Sequence, residues 1–266
     1  MKNRTNTASR FDRTRLLLGD EVMEKIASAR VIIFGVGGVG SWCAESLART
    51  GFRHITLVDC DRVDITNINR QMPALTDTIG AIKTDVVRDR ILAINPDAEV
   101  VSIKEYYTEA TASKFDFNEY DYVIDAIDSL KDKVLLIRRA TASRAVFFSS
   151  MGAALKMDPT KISVAEFWKV NGCPLAAALR QRFRRSGEFP AKKFKCVYSP
   201  EIFSNRGNME HKYDPSAGGD DADTVNLTAR KAIINGTVAH TTAVFGFTLA
   251  GLVVQDVLNR FTLRKT

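Results

Sequence analysis

The chain has 266 residues, 45% of them hydrophobic and 26% charged. This is an ordinary globular composition, with length enough for one large α/β domain or two small ones. No apolar stretch follows Met1 and the first ten residues are polar and basic, so the expectation is a cytoplasmic chain without a secretory signal. Its four cysteines, Cys43, Cys60, Cys173 and Cys196, lie far apart and form no Cys-x-x-Cys pair. That argues against a disulfide framework and against a zinc site of paired spacing, and all four read as buried or incidental thiols.

Residues 10–29 carry a short amphipathic helical pattern, with Leu16 to Leu18, Val22, Met23 and Ile26 apolar; residues 1–30 read as an N-terminal helical arm. Val31 to Phe34 is a run of β-favouring residues that breaks into Gly35-Val-Gly-Gly-Val-Gly40, and Val39 to Arg49 reads as the helix that follows. A strand, a glycine turn and a helix in that order point backbone N–H groups at an anion, usually a nucleotide phosphate. Gly35, Gly37, Gly38 and Gly40 are the candidate cradle. A second strand, His54 to Val58, ends in Asp59, where a carboxylate can accept hydrogen bonds from a ribose. On these residues alone NAD fits as well as ATP, and glycines that merely tighten a turn give the same pattern.

Further along, Ile82, Val86, Val87, Ile91 and Ile94 have helical spacing within Gly80 to Ile94, which Asn95-Pro96 ends. Glu99 to Ile103 reads as a strand, Tyr122 to Ile127 as a buried strand ending in Asp128-Ser129, Asp132 to Ala142 as a helix and Ala145 to Ser149 as a strand. Strands alternating with helices predict an α/β fold with a Rossmann-like, doubly wound, mainly parallel sheet and flanking helices. The strand ends just named then fall along one edge of that sheet, within a single domain over residues 1–266.

The pattern loosens after Ser150. Lys161 to Phe167 is a candidate strand, 174–185 a basic helix and 204–224 a polar, turn-rich mobile loop. Arg180, Arg182, Arg184, Arg185, Lys192, Lys193 and Lys195 stand against Glu188 alone, giving this stretch a net +6 of the chain's +7. Phe183, Phe189 and Phe194 interleave with those charges. Such a segment suits phosphate contacts with base stacking, and a solvated basic helix and loop is the alternative. Residues 180–225 together form a basic segment and mobile loop. Thr237 to Leu258 is strongly apolar but includes His240, Gly246, Gly251 and Gln255. It falls short of the roughly 20 predominantly apolar residues of a spanning helix, so it reads as a core helix and no membrane contact is expected.

The stretch after Asp59 is more specific. Asp59-Cys-Asp61 is followed by Asn67-Ile-Asn69-Arg70-Gln71, then Gly80-Ala-Ile-Lys83, then Asp128 after a later strand. With the glycine loop, this order over residues 31–128 resembles the adenylating enzymes that activate ubiquitin-like proteins and their bacterial relatives in molybdopterin and thiamine biosynthesis. Arg10 to Gly19, Tyr122 to Ser129 and Cys196-Val-Tyr-Ser199 are similar to the branch that dehydrates threonylcarbamoyladenosine in tRNA to its cyclic form. The absence of paired cysteines also suits that branch.

The resemblance implies ATP and Mg²⁺ without zinc, tRNA as the macromolecular partner, and a homodimer. It also admits a sulfur-acceptor or cysteine desulfurase system as a further partner. The glycines with Asp59, Asp61, Asn67, Asn69 and Gln71 would bind the nucleotide. Arg70 and Lys83 would cancel phosphate charge, Arg13 would reach a phosphate from the neighbouring subunit, and Asp128 would be the magnesium-associated aspartate. Each has a plainer reading: Arg70 and Lys83 as surface charges, Asp128 as a helix N-cap, Arg13 as a local ion-pair partner.

The chemistry fits those roles. A carboxylate, with a pKa near about 4, is already ionised and needs no general base to attack the α-phosphate of ATP. It needs positioning and charge cancellation. Ring closure is then intramolecular, with effective molarities up to about 10⁵ M or more, so no enzyme thiol is required. Cys196, the thiol nearest basic residues, reads as structural rather than reactive. Relatives often place a cysteine around the stretch occupied here by Asn235-Gly-Thr. The alternative substrate is the C-terminus of a small ubiquitin-like sulfur-carrier protein.

Overall fold

The apolar run ahead of the glycine loop becomes β1 (Arg30–Phe34), with Val31 to Phe34 completely buried. The computed structural model describes residues 8–207 and 235–262. In it β1 lies between β2 (His54–Val58) and β4 (Tyr122–Asp125), parallel to both, with Ile33 opposite Leu57 and Ile124. The remaining strands are β3 (Glu99–Ile103), β5 (Val146–Ser150), β6 (Ser163–Glu166) and β7 (Lys195–Tyr198), and the sheet order is β3-β2-β1-β4-β5-β7-β6. Every pair is parallel except β6 with β7. The mainly parallel, doubly wound sheet is therefore present, and its direction of winding reverses between β1 and β4. A crevice for a ligand opens at such a reversal.

Helices α2 (Asp20–Ser28), α3 (Gly40–Thr50), α4 (Lys83–Ile94) and α7 (Ala239–Thr262) share one apolar core with the sheet, built on Ile26, Leu47, Ile91, Phe245 and Val253. Helices α5 (Leu130–Ala142) and α6 (Pro174–Ser186) build a second core through Leu136, Ala140, Ala176 and Leu179. Two features differ from the sequence expectation in this part of the chain. The single helix expected over residues 10–29 is two, α1 (Asp12–Leu18) and α2, because Gly19 at φ 83° breaks the path. On α1, Leu16 and Leu17 are 87% and 82% exposed, and only Leu18 of that trio packs on the core.

Two more differences lie in the C-terminal half. Strand β7 was not anticipated, since a four-residue strand inside a basic stretch has too short an apolar run to stand out. Helix α7 is long and apolar enough to cross a membrane by length and composition, more so than its sequence suggested. Its Phe245, Leu249 and Val253 are nonetheless fully buried in the core, and a Cβ on Gly246 would lie 2.4 Å from the Val39 carbonyl oxygen, so α7 packs directly against the start of α3. Most of the mobile loop expected at 204–224, residues 208–224, lies outside the described residues.

Between α3 and α4, Glu45 is 5% exposed and pairs with Arg49 at 2.7 Å and Arg90 at 3.1 Å. Burial opposes its ionisation, but the hydrogen bonds and charges of the two guanidiniums outweigh that and hold its carboxyl below the usual range. A carboxylate whose folded pKa is depressed adds stability above its unfolded value, about 4.3, and loses it as pH falls through the folded value. Glu45→Gln should thus lower stability at pH 7 by about 1–3 kcal/mol. Its urea midpoint should also fall less steeply than that of the unmodified protein as pH drops below about 4.3. Parallel midpoint-against-pH curves would contradict this.

Candidate active site

β1 is followed by Gly35 at φ +83°, where a Cβ would lie 2.8 Å from the Ala126 carbonyl oxygen. A Cβ on Gly40 would meet the Gly35 carbonyl oxygen at 1.8 Å. The first turn of α3 thus folds back on the end of β1 with no room for any side chain between them. Three hydrogen bonds hold the intervening loop: Gly35 N–H to the Val58 carbonyl (2.9 Å), Val36 N–H to Asp59 Oδ2 (2.8 Å) and Ser41 Oγ–H to the Gly37 carbonyl (2.6 Å). Gly35, Gly37 and Gly38 line a cavity of about 840 Å³. Gly40 does not line it, and its place is in helix-to-strand packing.

Around this loop the motif residues divide into two groups. Asp59, Asp61, Arg70, Gln71 and Lys83 line the cavity. Lys83, at the first turn of α4 and 5% exposed, pairs with Asp61 at 2.8 Å, and Tyr106 Oη–H donates to the other Asp61 oxygen at 2.7 Å. Burial works against ionisation of Asp61, yet the Lys83 and Tyr106 hydrogen bonds prevail and lower its pKa. Asp59, two residues earlier, moves the other way. Burial raises its pKa even though the Val36 and Asp61 amides each donate to it. The Arg70 guanidinium is held by neutral oxygens, the Thr66 carbonyl and Asn69 Oδ1, each at 2.9 Å. Gln71 lies under Gly37, and its buried Oε1 has no hydrogen-bond partner.

The two asparagines lie beside the Arg70 turn. Asn67 closes a capping box with Asp64 on the short 3₁₀ turn Ile65–Asn67, and Asn69 donates to the Thr237 carbonyl at 2.9 Å. Neither lines the cavity. Their amides position the Arg70 turn.

On the opposite wall Asp128 is exposed and lines the cavity just ahead of α5, whose N-cap is Ser129 rather than Asp128. Beneath this turn sits a pair that the sequence reading missed. Lys133 and Asp125 are both completely buried, 2.9 Å apart. Lys133 Nζ also donates to the Ile127 carbonyl (2.8 Å), and Ser149 Oγ–H donates to Asp125 Oδ2 (2.6 Å). Burial raises the Asp125 pKa against the opposing effect of Lys133. The pair ties β4, β5 and α5 together under the Asp128 turn. The signal was present in the sequence: Lys133 falls on the apolar face of α5, three, four and seven residues before Leu136, Ile137 and Ala140.

The basic segment and Arg13 lie elsewhere. Arg180 donates to the carbonyls of Phe167 and Val170, and Lys192 to those of Ser143 and Ala145. These two cations brace backbone; Arg180 is half-buried, while Lys192 remains exposed. Phe183 and Phe194 are core residues at 0% and 5% exposure, so of the three interleaved phenylalanines only Phe189 offers a ring to a base. Arg182, Arg184, Arg185, Lys193 and Lys195 are exposed, and none lines the cavity. Arg13 is exposed on α1; its neighbours Phe11 and Arg15 border a separate hollow with His54 and Glu99, which begin β2 and β3, at the far edge of the sheet. No cysteine lines the cavity. Burial raises the Cys196 thiol pKa, as expected of a structural thiol.

Removing one partner of a completely buried ion pair strands the other charge, at about 3–5 kcal/mol. Lys133→Met should therefore lower unfolding free energy by that amount in urea. Lys133→Met with Asp125→Leu should recover a substantial part of the loss. A double variant no better than the single one would contradict a paired role.

Residues 11–265 match the model of the ThiF family. The chain is 38% identical over 258 residues to tRNA threonylcarbamoyladenosine dehydratase of Bacillus subtilis, covering 96% of this chain and 97% of that protein. It is 40% identical over 197 residues to the Escherichia coli protein of the same name, covering 72% of this chain and 74% of that one. The crystal structure of the E. coli dehydratase, TcdA, in complex with ATP superposes with a TM-score of 0.80 at 32% identity, covering 95% of both chains. With the glycine cradle, the Asp61–Lys83 pair and Arg70 gathered on one cavity of a doubly wound sheet, the chain belongs to the ThiF family.

Proposed function

We propose that this protein is an ATP-dependent tRNA threonylcarbamoyladenosine dehydratase. It adenylates the threonyl carboxylate and closes the ring within the same molecule to give the cyclic nucleoside. The observation that carries this reading is a cavity combining a backbone cradle, two cations and no thiol. Solved relatives with ATP and with AMP, and near full-length similarity to dehydratases of that name, support it.

The mechanism follows from the residues. The glycine loop and the start of α3 present N–H groups to the phosphates. Lys83, fixed by Asp61, and Arg70, held by neutral oxygens, offset the charge that builds on the α-phosphate and departing pyrophosphate. Gln71 Oε1 supplies an unsatisfied acceptor at the loop, and Asp59 bounds the ribose side. Among the described residues no group of three or more His, Cys, Asp or Glu is gathered for a metal. Mg²⁺ takes one or two carboxylates and completes its shell with phosphates and water; Asp128, exposed on the cavity wall, would be its protein ligand and the ion would neutralise phosphate charge. The carbamoyl group of the substrate then attacks the activated carbonyl, AMP leaves with the electrons of the broken C–O bond, and a carbamoyl N–H proton is released to water.

The reading extends to one adenylation domain in a cytoplasmic homodimer, with Arg13 supplied to the partner's phosphates. The exposed Leu16 and Leu17 beside Arg13, and the absence of Arg13 from its own cavity, support that arrangement.

The test is direct. The protein, ATP, Mg²⁺ and tRNA bearing threonylcarbamoyladenosine should give a nucleoside lighter by one water on mass spectrometry. Unchanged nucleoside with folded protein would overturn the reading, as would turnover requiring a Gly-Gly-tailed protein. Lys83→Ala should lower kcat for pyrophosphate release by about 10²–10³-fold while the protein stays folded by circular dichroism. Activity within threefold of the unmodified protein would remove Lys83 from its assigned role.

A further inference from the structure

The far end of α6 carries a surface that the nucleotide cavity does not use. Trp168 and Phe189 are 37% and 54% exposed, with ring centroids 6.0 Å apart. The Arg184 guanidinium lies 5.8 Å over the Trp168 ring. Trp168 is anchored edge-on against Phe167, which is completely buried, so one part of its ring system is held by the core while the rest faces outward. Arg182, Arg185 and Lys193 are exposed in the same segment. Within residues 180–195 the single carboxylate, Glu188, is paired with Arg138 at 2.7 Å; outside them Glu166 turns one oxygen onto the Trp168 backbone N–H at 3.1 Å.

Flat aromatic and guanidinium surfaces beside unneutralised cations match unpaired nucleobases on a phosphate backbone. An acidic protein would satisfy the charges but has no comparable use for the paired rings. The position is informative as well. Leu175, in the first turn of α6, lines the nucleotide cavity. Arg184 is nine residues further along the same helix, about 14 Å at about 1.5 Å per residue. Lys195 begins β7, which runs parallel to β5, so this end of α6 faces the sheet edge opposite the cavity. Helix α6 spans from the cavity to the cluster, a length equal to about four stacked nucleotides at about 3.4 Å each.

We propose that Trp168, Phe189 and Arg184 form a stacking platform for an unpaired nucleotide of the RNA substrate, several nucleotides away from the nucleoside whose threonyl carboxylate is adenylated. Arg182, Arg185 and Lys193 contact the adjoining phosphates. The platform rests on the tRNA dehydratase reading and adds a determinant of macromolecular substrate affinity, with no part in the bond-making step.

The test compares two substrates in full-length protein: tRNA bearing threonylcarbamoyladenosine, and a trinucleotide centred on that base, too short to reach the platform. The double variant Trp168→Ala with Phe189→Ala should raise KM for tRNA about tenfold or more with kcat kept, and leave kcat/KM on the trinucleotide within twofold. Arg182→Ala with Arg185→Ala should reduce the slope of log binding constant against log salt by about 1–2. An unchanged KM for tRNA, or equal losses on both substrates, would overturn the platform, as would polyglutamate competing as well as unmodified tRNA. If the unmodified protein turns over the trinucleotide and tRNA normally while the variants match it, only the platform falls; if it converts neither substrate, the dehydratase reading falls with it.

Discussion

The close approach of α3 to β1 sets the geometry of everything around the nucleotide cavity. With a Cβ on Gly40 only 1.8 Å from the Gly35 carbonyl oxygen, the helix starts as near to the strand end as two backbones can come. Its first N–H groups therefore face the crevice where the sheet reverses its winding. Gly246 repeats the device from outside, bringing α7 onto the Val39 carbonyl and the Cys43 amide. The loop is held between a sheet edge and a buried helix, and its amides are aligned before any ligand arrives. Preorganised donors of this kind stabilise developing charge without reorganising at the moment of reaction.

A second level of organisation comes from carboxylates just past the strand ends. Asp59 spends both oxygens on backbone amides and is pushed toward neutrality by burial; Asp61 is kept ionised by Lys83 and Tyr106. One therefore fastens the loop, and the other holds a cation at the cavity wall. Asp125 does for the opposite wall what Asp59 does here, with Lys133 as its buried partner. A charge embedded this deeply cannot move without stranding its counterion, so the pair fastens the Asp128 turn to β4 and β5.

Much of this was legible in the sequence because periodicity and turn chemistry agree. The buried strand before the glycines, the ordered run from Asp59 to Lys83 and the helical spacing ended by Asn95-Pro96 each state one local conformation. What escaped has physical reasons. Asn67 sits three residues after Asp64, a spacing that a capping box explains as well as a ligand contact does. Arg180 and Lys192 look like their neighbours in composition, and only tertiary structure shows that they donate to inward carbonyls. Phe183 was readable as core, since it follows Ala176 and Leu179 at helical spacing, but the surrounding charges concealed that face. Strand β7 depends on β5 for its place, which no local pattern encodes.

The central claim is that a substrate carboxylate oxygen attacks the α-phosphate of ATP in this cavity. Labelling the threonyl carboxylate of the tRNA nucleoside with ¹⁸O tests it most directly. During conversion to the cyclic form, the account predicts pyrophosphate as the other product and AMP carrying one ¹⁸O from the substrate in each turnover. Unlabelled AMP, or label recovered in inorganic phosphate alongside ADP, would contradict it.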